Sequence, residues 1–380
     1  MLKALYHRLG FRLTYAPRRQ STHRMLARFM PTHKSPLSQT KQSMMQYHYY
    51  ANSDISLALQ EFDIDRHRRK LETMKADMTA PEVQFLDMPF IFDENDNNQM
   101  KPVPCYISED EIQSQAYPNI LRDMRIMLMR QYLPNDKSEH YSTLFFFQGT
   151  GYIAREIAFT DTICRYLCHD SQCQVILIPY PLAPEKKWPA AKDGANMLLD
   201  YLYKNSEDFK INLNHVSFVS YSSGTAIAIH AAYHWLYHER EIKKQYLVCP
   251  FVDFARIQKG FEHNENQDKV ISENFVKITI ELSVPADKNR QDSDLSPLYA
   301  DPSILPPSYI VTGENDRTRG DAEKYADKLM HKGVEVEKRV ISGQNHSLGW
   351  QNMTIWRNIA QDVKQTMSPH ADHTSAPTLG

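Results

Sequence analysis

From residue 143 onward the chain repeats one unit, a short apolar run of β type followed by a stretch with helical spacing. The β-type runs cover 143–147, 173–178, 216–219, 246–248, 309–312 and 334–341, and helical patterns span 154–168, 190–203, 225–240, 321–332 and 353–366. Runs that are apolar on both alternating faces have no side to offer water, and strands of that kind need cover above and below. Alternation with helices supplies that cover, so the pattern predicts an α/β architecture with a mainly parallel central sheet flanked by helices. A looser alternation at 125–132 adds a further strand before the repeat begins.

Two intervals stand outside this rhythm. Residues 253–295 are charged and variable, with short apolar patches at 270–275 and 278–284. An insertion of that length between two strands is expected to form a lid or cap rather than a plain loop. Residues 52–79 carry Leu57, Leu59, Phe62, Ile64 and Leu71 among many charges, which predicts a helix ending before Pro81. The chain has 380 residues, 42% hydrophobic and 24% charged, enough for one large domain with a cap. No run approaches the 18 or so apolar residues that a spanning helix needs.

Charge is unevenly placed. Residues 1–53 hold nine Lys/Arg and no Asp or Glu, leaving 35 Lys/Arg against 46 Asp/Glu in the remainder. The acidic body excludes a nucleic-acid partner of the basic-stripe kind. Residues 1–48, with Leu2, Leu5 and Leu9 at helical spacing among Lys3, Arg8 and Arg12, form a basic arm. It suits a mitochondrial-type targeting segment or a helix lying on an anionic membrane surface, and equally a poorly ordered arm that contacts nothing specific. Residues 368–380 read as a disordered tail. Five cysteines in a chain of this length argue against a disulfide scaffold and for a reducing compartment, so the expected location is the cytoplasm. Cys164, Cys168 and Cys173 with His169 resemble a ligand cluster, but no second C-x-x-C pair accompanies them, and core thiols explain them better; no metal is expected.

Chemistry concentrates at strand ends. At 216–232 an apolar strand runs into Ser220-Tyr221-Ser222-Ser223-Gly224 and straight into a helix that is apolar nearly all round. A serine on such a strand-to-helix turn has its hydroxyl exposed above the sheet edge, the geometry of the G-x-S-x-G nucleophile elbow, with Ser220 standing where the first glycine belongs. A serine N-cap on an ordinary core helix is the competing reading of Ser222. A nucleophilic serine needs a base and an orienting acid, in the chain order Ser, Asp or Glu, His. Beyond the insertion the histidines are His331, His346, His370 and His373. His331 sits at a helix C-terminus and the last two lie in the tail, which leaves His346, in a polar loop directly after a strand. Asp316, just past strand 309–312, is the favoured acid, with Glu314, Asp321 and Asp253 as rivals.

The third requirement is a set of N–H donors for a developing oxyanion. Only 12 glycines occur in the chain, and two of them, Gly149 and Gly151, close the apolar strand 143–147. That placement predicts the amides of Thr150, Gly151 and Ser223 as donors. A phosphate-binding loop is the alternative, but neither G-x-G-x-x-G nor G-x-x-x-x-G-K-[ST] follows.

Taken together these segments resemble the hormone-sensitive-lipase-like family of α/β-hydrolases, the bacterial esterase and lipase group with an H-G-G-G oxyanion motif. The resemblance runs from about residue 125 to 364 and includes Tyr180-Pro-Leu-Ala-Pro-Glu-Lys-Lys-Trp-Pro-Ala-Ala191, Ser296-Pro-Leu-Tyr-Ala300, Leu305-Pro-Pro307, and Tyr325-Ala with Leu329 and Gly333-Val. It implies an α/β-hydrolase fold over 49–367 with a helical cap built from about 49–110 and 253–290. It also implies a Ser222–His346–Asp316 triad, oxyanion positions at Thr150, Gly151 and Ser223, and no cofactor. Two departures stand out: Gln148 replaces the family's histidine and Thr150 its middle glycine. The expected activity is hydrolysis of small-molecule carboxylic esters of short to medium chain length, or of lipid esters if the basic arm touches a membrane. An amide or peptide hydrolase on the same triad, and a weakly active or non-catalytic interaction protein on a hydrolase scaffold, are the alternatives.

Overall fold

Strand β4 (Tyr141–Phe147) shows how the sequence builds the sheet. Successive side chains of a strand point to opposite faces. Accordingly Phe145 and Phe147 join one buried cluster, with Phe218 and Trp235. Leu144 and Phe146 join the cluster on the other face, with Val219 and Trp356. Each aromatic of this kind contributes about 2–3 kcal/mol on burial, and edge-to-face contacts such as Phe145 with Trp235, centroids 5.6 Å apart, add specificity.

The computed structural model describes residues 63–65, 67–68, 80–93, 99–102, 126–155, 158–256, 268 and 270–367. The other strands are β1 (Gln84–Asp93), β2 (Gln99–Pro102), β3 (Ile126–Leu133), β5 (Gln174–Ile178), β6 (Ile211–Tyr221), β7 (Gln245–Val248), β8 (Ser308–Gly313) and β9 (Val336–Ile341). The helices are α1 (Ala158–Ser171), α2 (Ala190–Lys204), α3 (Gly224–Tyr237), α4 (Glu273–Ser283), α5 (Arg319–His331), α6 (Leu348–Gln351) and α7 (Met353–Thr366). The nine strands form one sheet in the order β2-β1-β3-β5-β4-β6-β7-β8-β9. Pairing is parallel from β5 to β9 and antiparallel among β2, β1, β3 and β5. The mainly parallel sheet expected from the alternation is therefore present.

One expectation needs correction. Residues 84–93 and 99–102, within the segment expected to build the cap, are strands of the sheet itself. β1 pairs with β3 over eight residues, from Gln84 opposite Leu133 to Ile91 opposite Ile126. A buried charge network fixes this edge: Arg130 on β3 reaches Asp87 on β1 at 2.5 Å and Asp161 on α1 at 2.8 Å, and Arg165 closes on Asp161 at 2.6 Å. Of the helix expected over 52–79, residues 64–65 and 67–68 are helical, and the remainder lies outside the described residues. The basic arm 1–48 and the tail 368–380 also lie outside them.

The apolar patches of the 253–295 insertion become α4. Its first turn is capped by Ser272, whose hydroxyl accepts the Phe275 amide at 3.1 Å. α4 is tied to the body where Trp188 donates its amide to Ser283 O at 2.8 Å. Arg68 ties its own short segment to the body beside α4, where His67 and Phe275 lie with ring centroids 5.6 Å apart. Its guanidinium donates to Glu185 through both terminal nitrogens, and to the carbonyls of Ile153 and Ala183, each at 2.7 Å. Among the described residues no helix is long and apolar enough to cross a membrane.

Candidate active site

The C-terminal ends of β4, β6, β8 and β9 bring the predicted residues to one edge of the sheet. The turn from β6 to α3 is tight because α3 begins against β4: a Cβ on Gly224 would lie 2.3 Å from Phe147 O and 2.4 Å from Gln148 O. A chain reversal this close forces Ser222 to φ 52°, a left-handed conformation that a side chain ordinarily avoids. It is held there by its own amide donating to Val248 O at 2.9 Å, and by its carbonyl accepting from Thr225 N at 3.0 Å. Ser220, in the place of a glycine, is fully buried, and its hydroxyl is satisfied by Thr225 Oγ1 at 3.1 Å.

The strained turn lifts the Ser222 hydroxyl to the imidazole of His346, with Oγ 2.7 Å from Nε2. The other ring nitrogen, Nδ1, stands 2.9 Å from Asp316 Oδ1. Ser222 is partly accessible, whereas His346 and Asp316 are buried. Asp316 is further held by the Thr318 amide at 2.8 Å, the Thr318 hydroxyl at 2.9 Å and the Thr312 hydroxyl at 3.2 Å. Burial opposes its negative charge, but the facing imidazole and these donors outweigh burial and hold the carboxyl at about 2. For His346 burial likewise opposes charge, and the Asp316 carboxylate overrides it, so the imidazole lies above the ordinary histidine value.

The three rival acids are engaged elsewhere. Glu314 accepts the Gly343 amide at 2.7 Å and the Ser342 hydroxyl at 2.8 Å, closing the turn that leads to His346. Asp321 pairs with buried Arg256. Asp253 accepts from Ala255 N at 2.9 Å and the Tyr299 hydroxyl at 3.3 Å.

Two residues of the site left no mark in the sequence pattern. The Tyr221 hydroxyl donates to His346 O at 2.7 Å, and its ring packs against the imidazole with centroids 5.6 Å apart. It fixes the backbone of the histidine from the elbow itself. Its position next to the serine was visible, but its partner is 125 residues away and only the fold brings them together. Asp268, inside the insertion, is a second buried carboxylate whose charge also raises His346. It is held by amides of Val270 at 2.7 Å and Arg317 at 3.0 Å, and burial pushes its carboxyl up. No spacing rule points into a variable insertion, so no sequence signal could have found it.

The predicted donors lie beside the elbow. Gly151 takes φ 65°, and a Cβ there would meet Thr279 of α4 at 2.8 Å, so α4 and the loop approach each other closely at this point. The amides of Thr150 and Gly151 point inward as a pair, and both donate to the side-chain Oγ of Ser223, at 3.0 and 2.9 Å. Ser223, expected to add its own amide, thus also presents its hydroxyl to the other two donors. Gln148, where the related motif has histidine, is buried, and its carbonyl accepts the Tyr180 hydroxyl at 2.8 Å.

Among the described residues two groups of ligand-type side chains converge. One sets the buried thiol of Cys249 beside Asp316 and His346, which are already bonded to each other at 2.9 Å. Asp200 with His234 and His238 lies on α2 and at the end of α3, where Asp200 is bonded to Arg240 at 2.6 Å and His234 at 3.1 Å. Cys164, Cys168 and Cys173 are buried thiols whose ionisation burial opposes, as core residues should be.

The chain resembles known proteins in sequence and in structure. Residues 144–349 match the family model described as alpha/beta hydrolase fold. An alpha/beta hydrolase of Acanthamoeba polyphaga mimivirus is 26% identical over 219 residues, 56% of this chain and 62% of that protein. The chain thus spans under two-thirds of that relative's length. An arylesterase of Saccharolobus solfataricus is 29% identical over 242 residues, 60% of this chain and 76% of the other. An ethyl acetate hydrolase of Pseudomonas putida is 27% identical over 233 residues, covering 59% and 72%. Among solved structures, the ester-hydrolase EH1AB1 from the metagenome of Lake Arreo superposes with a TM-score of 0.67 at 22% identity, over 87% of this chain and 98% of that one. With a matched model over more than half its length and the same fold in its structural neighbours, the chain belongs to the alpha/beta hydrolase family.

Proposed function

We propose that the protein is a serine ester hydrolase acting through Ser222, His346 and Asp316 on small carboxylic esters of short to medium chain length. The observation that carries this reading is the continuous line from Ser222 Oγ to His346 Nε2 and from Nδ1 to Asp316, at 2.7 and 2.9 Å. Relatives named for aryl esters and ethyl acetate support the ester class.

His346 removes the proton of Ser222 as Oγ bonds to the ester carbonyl carbon. The carbonyl electrons pass to its oxygen, which the amides of Thr150, Gly151 and Ser223 receive. Asp316 keeps the imidazole in the tautomer that accepts at Nε2 and stabilises the imidazolium. Collapse of the tetrahedral intermediate breaks the bond to the alcohol oxygen, and His346 returns the proton to it. Water, deprotonated by the same imidazole, then attacks the acyl-serine, releasing the acid and restoring Ser222.

A fluorophosphonate probe and a p-nitrophenyl ester series from acetate to octanoate test the proposal. The wild type should be labelled once and turn over short esters, while Ser222→Ala should lose labelling and about six orders of magnitude in turnover. A correctly folded wild type that neither labels nor hydrolyses any ester of the series would leave a hydrolase scaffold without this chemistry.

A further inference from the structure

The two amides that aim into the acceptor pocket are already taken. Ser223 Oγ lies 3.0 Å from Thr150 N and 2.9 Å from Gly151 N, with both N–H groups directed at it. Donors of an oxyanion hole serve an oxygen about 2.7–3.1 Å away, so the serine hydroxyl holds the place that a substrate's carbonyl oxygen would need. Two oxygens cannot share it. Ser223 itself is buried, and Thr150 and Gly151 are only partly open, so solvent does not readily compete for the same amides.

We propose that the Ser223 hydroxyl is an internal plug of the oxyanion pocket, standing in for the substrate oxygen at rest and rotating aside when an ester enters. The inference rests on the ester-hydrolase reading above and names a gating residue within that site. A serine side chain has three staggered positions about its Cα–Cβ bond, so rotation alone vacates the pocket without moving the backbone. The buried Tyr180 hydroxyl borders the same place at rest, donating to Gln148 O at 2.8 Å. Alanine at this position would leave the Thr150 and Gly151 amides open to the incoming oxygen, whereas the present chain must first give up two hydrogen bonds. Net hydrogen bonds are each modest, so the effect is about tenfold in rate.

The test compares second-order rates of fluorophosphonate labelling, since the phosphonyl oxygen must enter the same pocket, together with melting temperatures. Ser223→Ala should label about tenfold faster than the wild type, with no gain in melting temperature because the resting contacts are gone. Ser223→Thr keeps the hydroxyl and should label no faster than the wild type. Labelling of Ser223→Ala with little or none of the wild type would support the plug most strongly. Equal or slower labelling of Ser223→Ala, in a wild type that does label, overturns the plug and leaves the hydrolase reading standing. Failure of both to label removes the hydrolase reading and the plug with it. Should Ser223→Ala not fold, the crystal structure of the phosphonylated wild type decides: Ser223 Oγ displaced from both amides supports the proposal, and Ser223 still bonded to them overturns it.

Discussion

The site has two halves that meet at adjacent residues and are built on different terms. Ser222, His346 and Asp316, the proposed relay, form a hydrogen-bonded line of side chains, each held by its surroundings: the strained elbow under Ser222, the Tyr221 hydroxyl on the His346 backbone, and the Thr318 and Thr312 donors on Asp316. The acceptor half is made of backbone, the Thr150 and Gly151 amides, in a loop pressed between the elbow and α4. Its resting partner is the side chain of Ser223. The difference is instructive. A side-chain relay carries its identity in residue types at strand ends, whereas a backbone pocket depends on what the neighbours leave room for.

The largest effect should come from the relay. Asp316→Asn is expected to lower kcat by about 10⁴-fold with the fold intact, because the imidazole loses both its preferred tautomer and the stabilisation of its charge. The pH profile sharpens the point. In the proposed mechanism His346 must be neutral, and Asp316 raises it above the ordinary histidine value, so wild-type kcat/KM should fall as pH drops through that raised value. Removing the carboxylate's charge should move this acid limb of the residual activity to lower pH. A limb that stays in place would mean that Asp316 does not govern the imidazole.

In the acceptor half, Gly151→Ala is expected to cost about 10²-fold in kcat, since a Cβ there meets Thr279 at 2.8 Å and the backbone must shift at a position with φ 65°. Activity within twofold of wild type would show that the loop is looser than its contacts imply and would erase the contrast between the halves. The smallest effect is expected at the support of the histidine backbone. Tyr221→Phe removes one hydrogen bond to the His346 backbone while keeping the ring contacts, and kcat should fall about fivefold with KM little changed. A change confined to melting temperature would assign Tyr221 to packing alone.

Much of the sheet could be read from residue order. β4, β5, β6, β7 and β8 carry apolar residues on both faces because helices cover both, and that demand is written locally. β1 and β2 were harder to see. β1 holds Asp87 and Pro89, residues that weaken a strand pattern, and its place depends on Arg130 receiving Asp87 across the pair with β3. That dependence belongs to tertiary pairing. The elbow, the histidine loop and the acid were legible as residue types in order, although Glu314, Asp321 and Asp253 could be set aside only by their bonds to Gly343, Arg256 and Ala255.

What the sequence determined by itself was the alternation of buried strands and helices and the chemical identity of the groups at their ends, because hydrophobic period and residue type are local properties. Tertiary structure decided which carboxylate faces the imidazole, that Tyr221 steadies the histidine, and that the Ser223 hydroxyl meets the Thr150 and Gly151 amides. Those are matters of ångström-scale convergence between segments up to 125 residues apart, and a hydrogen bond forms only where distance and direction are both met.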